Sequence, residues 1–140
     1  FDALQTYREN FKPSAQLAEP YAIAGVGVIA AADKESAETQ LEITRRARVK
    51  NLFKSPSGGK LSDGEVDEVL SSYRARAVDE MLTYSGVGTG AEAAAYLADF
   101  QEKTAVQELI TVHYADSVDN RVRSVELLAG AARLSEPAAA

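Results

Sequence analysis

The chain contains a single histidine, and this residue has the clearest potential for chemistry. His113 is followed by Tyr114 and, after one alanine, by Asp116. We predict that His113 lies at the carboxyl end of a strand, and ligands of α/β sheets gather at the carboxyl ends of the strands. A lone histidine is more often a hydrogen-bonded structural residue, and for Asp116 a cap of the following helix is the favoured interpretation. We predict His113 and Tyr114 as site residues and keep the structural interpretation as the alternative.

A glycine-rich segment offers a second possible contact. Gly86, Gly88 and Gly90 alternate just before a predicted helix, whose first N–H groups could bind a phosphate. The spacing is not G-x-G-x-x-G, and no strand is predicted to lead into it. A plain turn is the favoured interpretation, and a phosphate contact is the alternative.

Composition excludes several kinds of chemistry. The chain has no Cys, which excludes a disulfide scaffold, a thiolate zinc site and a Cys nucleophile. With one His, a transition-metal site would need carboxylates, and we predict no metal. The net charge of −6, from 15 basic and 21 acidic residues, argues against a protein that grips nucleic acid.

One basic stretch runs against this acidic balance. Its members are Arg45, Arg46, Arg48, Lys50, Lys54 and Lys60, and Asp63, Glu65, Asp67 and Glu68 follow them. A solvated helix face with local charge pairing is the favoured interpretation, and phosphate or nucleic-acid binding is the alternative.

The chain shows no sign of a membrane span or a secretion signal. Its longest nearly uncharged run, Pro20–Ala32, is shorter than the about 20 apolar residues that a spanning helix needs. We expect a soluble, cytoplasmic protein with no membrane partner. The first residue is Phe1 rather than Met, so we expect that a segment was removed or that this is part of a longer chain.

Two segments have the composition of buried strands. Tyr21–Ala32 is apolar on both alternating faces, which is typical of parallel strands covered by helices. A buried helix is the alternative, against which Gly25 and Gly27 argue. Glu108–Tyr114 is the second strand. We expect the two strands to be adjacent and parallel, because the helices between them provide the crossover that a parallel pair needs.

Helical periodicity and caps predict about five helices around these strands. They cover residues 2–11, Lys34 to about Phe53, Ser62 to about Tyr84, Thr89–Lys103, and a last helix capped by Asp116 or Ser117. The third is predicted to be one long helix that buries Val66, Val69, Leu70, Tyr73, Ala77, Met81 and Tyr84. The last is predicted to bury Val118, Val122, Val125, Leu128, Ala129 and Ala132. Strands that alternate with helices indicate an α/β protein, but two strands leave both sheet edges open.

The amino-terminal motifs resemble a known family. Tyr7–Ser14 (YRENFKPS), then Pro20-Tyr21 and Gly25–Ala31, resemble the "YRENFxPS … PY … VNVxAADT" block of luciferase-like flavin-dependent monooxygenases. Later in the chain, Gly88–Glu92 is similar to the "GSPETV" turn of that family. The resemblance covers residues 4–129 in the right order.

The carboxyl-terminal motifs continue the resemblance, with departures near the second strand. Gln107–Val112, Asp116, Arg121 and Ser124–Ala129 resemble the "DELMVVT … YDHxxRLRSYELLA" ending. The usual Asp of "ADEL" is replaced by Gln107, and "YDH" has an inserted residue. These departures weaken the transfer of the family's site residues to this end of the strand.

The resemblance implies a partial (β/α)8 TIM barrel. Members are eight-stranded barrels that bind FMN, usually reduced, and use O2, and some relatives use a deazaflavin. A whole barrel takes about 250 residues. The resemblance therefore implies that residues 1–134 form the carboxyl-terminal part of such a domain, with a helical insertion at about 55–88. The residues at the chain end predict a disordered tail at 135–140. Most residues that hold the flavin would lie upstream, and none can be named in this chain.

Two hypotheses about function follow. The first is the carboxyl-terminal segment of an FMN-dependent monooxygenase, or alternatively of a deazaflavin-dependent oxidoreductase, whose isolated form binds FMN weakly or not at all and is inactive. The second is a catalytically inactive, truncated chain that acts as an oligomerising interaction module. In both, the expected partner is the missing amino-terminal barrel portion or a second copy in a homo-oligomer.

Overall fold

The computed structural model describes residues 2–132, and in these residues the sheet has three parallel strands. They are β1 (Ile23–Ala31), β2 (Ser85–Thr89) and β3 (Glu108–His113), in the order β2-β1-β3. Ile23 lies opposite Glu108 and Val28 lies opposite His113. The α/β class and the parallel pairing of β1 with β3 are therefore confirmed. The expected tail at 135–140 lies outside the described residues.

Six helices in residues 2–132 surround the sheet. They are α1 (Asp2–Asn10), α2 (Lys34–Leu52), α3 (Asp63–Leu70), α4 (Ala75–Leu82), α5 (Gly90–Thr104) and α6 (Val118–Ala131). The residues of the expected insertion, about 55–88, form a loop, α3, α4 and, from Ser85, most of β2.

β2 corrects the sequence analysis, which predicted a turn at Ser85–Gly90 and a sheet of two strands. Alternating glycines lower strand propensity, so the segment resembles a turn. Packing against α5 explains why glycine occurs in this strand, because a Cβ on Gly86 would lie 3.4 Å from the Ala93 carbonyl oxygen of α5. Gly88 has a φ of +147°, a value that side chains rarely allow.

The predicted long helix from Ser62 to Tyr84 is also wrong, because the chain forms α3 and α4 with a break at residues 71–74. The Ser72 hydroxyl donates to the Val69 carbonyl at 2.8 Å and accepts from the Arg74 N–H at 3.2 Å. These local bonds compete with helix continuation. The break shifts the buried stripe, so that Val78 of α4 is buried and Tyr73 is 90% exposed. Met81 and Tyr84, also predicted to be buried, are exposed.

Helices cover both faces of the sheet. One cluster joins β1 to α5 and α6 through Val28, Ala30, Ala93 and Leu128. A second cluster joins α2, α3 and α4 through Val49, Leu61, Val66, Val69, Val78 and Leu82, and Tyr114 packs against it. Because side chains alternate along a strand, β1 presents Val28 to one layer and Gly27 to the other.

The last helix buries a different face from the one predicted. Ser124 and Leu128 are its buried residues, whereas Val118 is 72% exposed, and Val122 and Val125 are exposed as well. Ser124 faces β1 because its hydroxyl accepts a hydrogen bond from the Ala30 N–H. The three valines follow helical spacing and form an exposed apolar stripe along α6.

Two further sets of contacts agree with the sequence patterns. Arg8 of the YRENF motif donates to the Thr104 and Ala105 carbonyl oxygens at 2.7 and 2.8 Å, which ties α1 to the end of α5. The predicted charge pairing of the basic stretch is confirmed on α2. Its ion pairs are Arg45–Asp79, Arg46–Asp67, Arg46–Asp63 and Lys50–Asp63.

Candidate functional site

The carboxyl ends of β1 and β3 lie side by side, and this is where the predicted site residues are found. His113 is the last residue of β3 and Tyr114 follows it. Consecutive residues of an extended chain point to opposite faces. The structure therefore brings both residues to one end of the sheet but separates their side chains, with His113 towards α6 and Tyr114 towards α2.

His113 is held by a buried serine that sequence analysis did not select. The Ser124 Oγ lies 2.7 Å from the His113 Nδ1 and accepts from the Ala30 N–H at 3.0 Å. β3 ends at His113, whereas β1 continues to Ala31. The Ala30 N–H of β1 therefore bonds to the Ser124 hydroxyl and not to a further carbonyl of β3. Ser124 is 2% exposed, and this hydroxyl therefore joins three elements in the core.

This contact is compatible with either neutral form of the imidazole, because a hydroxyl can both donate and accept. The Ser124 oxygen already accepts from the Ala30 N–H, and its own proton can be donated to the His113 Nδ1. The proton of the neutral ring then resides on Nε2. Burial lowers the pKa of His113 below its ordinary value of 6.5, which favours the neutral ring. When the Ser124 hydroxyl donates to Nδ1, the neutral His113 ring is a hydrogen-bond donor through Nε2.

Tyr114 fills the space above a glycine of β1. A Cβ on Gly27 would lie 2.7 Å from the Tyr114 ring, so the ring occupies the place of that side chain. The Arg48 guanidinium lies 4.9 Å from the centre of the Tyr114 ring, within cation–π range. The Ser85 Oγ also lies over Gly27, and it is buried without a hydrogen-bond partner among the described residues. Tyr114 is therefore a packing residue at the end of the sheet.

Asp116 organises the connection between β3 and α6. Its carboxylate accepts from the Asn120 amide at 2.7 Å, and this bond lowers the pKa of Asp116. Its N–H donates to the Gln40 Oε1 of α2 at 3.3 Å. Ser117, rather than Asp116, caps α6 by accepting from the Asn120 N–H. Of the two predicted caps, Ser117 is therefore the correct one.

Two cavities open at this end of the sheet. The strand-end cavity, of about 510 Å³, lies beyond the carboxyl ends of β1 and β3 and is lined by Asp33, Glu35, Gln40, Tyr114, Arg123 and Ser124, among others. The β3-edge groove, of about 650 Å³, lies along the outer side of β3. Its walls come from α2 and α6, and its residues include Thr44, Arg48, Thr111, His113, Arg121 and Val125.

The strand-end cavity does not match the needs of a flavin phosphate. Asp33 and Glu35 place two carboxylates at its border, and Asp33 already occupies the amino terminus of α2 by accepting from the Ser36 N–H. Arg123 is the cation of this cavity, and it pairs with Glu126 at 3.5 Å. The described residues at this cavity thus offer no unpaired cation to a phosphate group. They also contain no group of three acidic or His side chains placed to hold a metal.

Sequence reasoning missed three residues that shape this region. Ser124, Gln40 and Arg48 each lie on a helix, and each contacts the end of β3 or the residues just after it. Ser124 gave no signal in the sequence, because it lies outside the apolar stripe that was predicted for α6. Gln40 and Arg48 look like ordinary surface residues of α2.

Comparison with known proteins agrees with the resemblance seen in the sequence. No family model matches the chain. YvbT of Bacillus subtilis, an uncharacterized protein, is 34% identical over 128 residues, which are 91% of this chain and 38% of YvbT. A luciferase-like monooxygenase of Escherichia coli K12 is 31% identical over 129 residues, with the same two coverages. Over most of its length, this chain is therefore similar to luciferase-like monooxygenases. It spans 38% of the length of these curated relatives, which is consistent with the predicted carboxyl-terminal segment.

A solved structure supports the relationship at the level of fold. The crystal structure of apo-MsnO8 matches 97% of this chain with a TM-score of 0.72 and 25% identity, over 42% of MsnO8. The match fits a partial TIM-barrel-like fold. No helix among residues 2–132 is both long and apolar enough to cross a membrane.

Proposed function

We propose that this chain is the carboxyl-terminal segment of a luciferase-like monooxygenase domain that uses FMN and O2. The observation that carries the proposal is the similarity to luciferase-like monooxygenases over 91% of this chain but only 38% of theirs. In such a domain the flavin supplies the oxygen chemistry, and the protein binds and orients the reactants and excludes water. A deazaflavin would suit the same family, and a cytoplasmic location is part of the proposal.

In the complete domain, this segment would contribute one border of the site rather than the flavin-binding residues. Ligand sites of α/β barrels lie at the carboxyl ends of the strands. His113 stands at that end with its ring held by Ser124, and Nε2 can donate a hydrogen bond when the Ser124 hydroxyl donates to Nδ1. Tyr114 would support this end by packing over Gly27.

The isolated segment would then be inactive. A site that buries most of a flavin ring needs walls on several sides, and shallow contact gives little affinity. The carboxylates of the strand-end cavity further disfavour the flavin phosphate. A second candidate function, an oligomerising interaction module, is favoured by one observation, the exposed apolar stripe of α6.

Flavin binding by two matched samples tests the proposal. FMN is titrated into the 140-residue chain alone, and into the chain mixed with the amino-terminal portion of the E. coli luciferase-like monooxygenase, and flavin fluorescence is followed. We expect no saturable binding up to tens of micromolar for the chain alone, and saturable binding for the mixture. The whole E. coli protein is the positive control, and its amino-terminal portion alone is the negative control.

Two results would contradict the proposal. Saturable low-micromolar binding by the chain alone would mean that it is a self-sufficient flavoprotein. Failure of the mixture to bind FMN, although the two parts associate and the whole E. coli protein binds, would remove the assignment as a flavin-enzyme segment.

A further inference from the structure

We propose that the β3-edge groove binds a small organic dicarboxylate, which Arg48 and Arg121 hold from opposite walls. Arg48 belongs to α2 and Arg121 belongs to α6, and both line the groove together with the last residues of β3. The inference does not rest on the proposed function, because every group that it uses belongs to this chain.

These two arginines have no ion-pair partner among residues 2–132, unlike their neighbours on the same helices. Arg45 and Arg46, just before Arg48, pair with carboxylates of α4 and α3. Arg123, two residues after Arg121, pairs with a glutamate of α6. Within the described part of the chain, Arg48 and Arg121 also donate no hydrogen bond to another residue. The N–H donors of both guanidinium groups are therefore available to a ligand.

Arg48 is ordered by its contact with the end of β3. Its guanidinium lies 4.9 Å from the centre of the Tyr114 ring, and that ring packs over Gly27 of β1. The contact is with the face of the ring, so it uses none of the N–H donors of the guanidinium. An arginine held in this way loses little conformational freedom when it binds a carboxylate. Arg121 is exposed and can adjust its position to the ligand.

The free edge of β3 adds neutral donors between the two walls. The Tyr114 N–H bonds to the Val28 carbonyl of β1. Alternate residues of a parallel strand bond to the same neighbour, so the N–H groups of Thr111 and His113 point away from β1. Thr111 and His113 both line the groove. Backbone N–H groups that meet a carboxylate form charge-assisted hydrogen bonds, which are stronger than neutral ones.

The charge of the groove favours an anion, although the chain has a net charge of −6. Asp116 is the one carboxylate that lines the groove, against two arginines. Its carboxylate accepts from the Asn120 amide at 2.7 Å, and this bond lowers the pKa of Asp116. Asp116 also lies at the amino terminus of α6, where the helix dipole offsets a negative charge. The positive charge of the two arginines is therefore left for a ligand.

The shape of the groove favours two carboxylates joined by a short apolar chain. Its volume of about 650 Å³ exceeds what one carboxylate or one phosphate fills. Val112 of β3 and Val125 of α6 line it, and both are exposed. Methylene groups can cover these valines while each carboxylate meets one guanidinium, which binds a carboxylate through two parallel hydrogen bonds. Inorganic phosphate would leave the valines uncovered and is therefore the less suitable anion.

Titration with three anions tests this inference. The 140-residue chain is ¹⁵N-labelled and titrated at low ionic strength and neutral pH with glutarate, with butyrate and with inorganic phosphate. We expect saturable glutarate binding, with the largest shift changes at the amides of Thr111 and His113 and at the Nε–H groups of Arg48 and Arg121. Butyrate, which has one carboxylate, and phosphate should each bind at least about fivefold more weakly. Sodium chloride at about 0.5 M should weaken glutarate binding, because salt screens exposed charges.

Two variants with matched controls assign the binding to the two arginines. Arg121→Ala and Arg48→Met should each weaken glutarate binding at least about fivefold, because each removes one guanidinium. Methionine keeps an unbranched apolar side chain at position 48, so the packing beside β3 is largely preserved. Arg123→Ala on α6 and Arg76→Met on α4 remove arginines that are ion-paired outside the groove, and both should bind glutarate like the wild type.

Three results would overturn the inference. The first is no saturable glutarate binding by the folded chain up to about 50 mM. The second is equal glutarate affinity in Arg121→Ala, Arg48→Met and the two controls, which would place the anion elsewhere. The third is butyrate or phosphate binding as tight as that of glutarate, which would show that the groove does not select a dicarboxylate. Arg121→Gln, at an exposed position, should reproduce the loss seen with Arg121→Ala.

Discussion

Replacing Ser124 with alanine tests the central contact of the candidate site. The Ser124 hydroxyl accepts from the Ala30 N–H at 3.0 Å and contacts the His113 Nδ1 at 2.7 Å. Ser124→Ala leaves the buried Ala30 N–H without a partner, which costs about 1–3 kcal/mol, and removes a hydrogen bond to His113 worth about 1 kcal/mol. Alanine adds no steric strain, so we expect the free energy of unfolding to fall by about 2–4 kcal/mol.

Urea denaturation followed by circular dichroism, at fixed protein concentration and pH 7.5, measures this change. Ser71→Ala is the matched control, because Ser71 is exposed at the end of α3, and it should change stability by less than about 0.5 kcal/mol. A double-mutant cycle with His113→Ala should give a coupling energy of at least about 0.5 kcal/mol. The reasoning is refuted if Ser124→Ala is as stable as Ser71→Ala, or if the effects of Ser124→Ala and His113→Ala simply add.

Three further predictions concern the packing of α5, the protonation of His113 and the cap of α5. Gly90→Ala should destabilise by about 1–3 kcal/mol, because its Cβ would overlap the Leu127 backbone of α6, whereas Gly130→Ala, in open space on the same helix pair, should stabilise by about 0.5–1 kcal/mol; equal effects in urea denaturation would contradict this. Burial lowers the pKa of His113 from 6.5, so the unfolded chain binds its proton at higher pH than the folded chain. The wild type should therefore lose stability as the pH falls below 6.5 towards 5, and His113→Gln should lose less; identical pH profiles would contradict this. Thr89→Ala removes the cap of α5 and should lower the free energy of unfolding by about 1 kcal/mol, which a lower melting temperature would show. An unchanged melting curve would argue against the capping box.

The elements with continuous patterns could be predicted from the sequence. The run Tyr21–Ala32, which is apolar on both alternating faces, predicts β1. The Asp33 cap and the amphipathic segment after it predict α2. The pairing of β1 with β3 followed from the need for a crossover. These features depend on local composition and on general rules of parallel sheets.

Features that depend on distant packing could not be predicted in the same way. The glycines of β2 resemble a turn until α5 is placed over them, and the break after α3 depends on the serine bonds at Ser72. The face of α6 was predicted from its valines, but Ser124 turns that helix by bonding to β1. An exposed apolar stripe on a helix has the same sequence pattern as a stripe that faces the core.

The candidate site was predicted in position but not in arrangement. His113 and Tyr114 do lie at the carboxyl end of β3, yet their side chains point to opposite faces. Alternation along a strand could have revealed this separation. The contacts of Ser124, Gln40 and Arg48 could not be found, because each joins positions far apart in the sequence.

The mass of the native polypeptide tests most directly whether this chain acts as one segment of a larger luciferase-like domain. The 140 residues alone have a mass of 15.0 kDa. Native protein can be captured from source cells with an antibody raised against α6, separated under non-denaturing conditions, and identified by peptide mass mapping. We expect a species well above 15.0 kDa whose other peptides match the amino-terminal portion of luciferase-like monooxygenases, in the same polypeptide or in a bound one. A 15.0 kDa monomer with no such peptides would contradict the account.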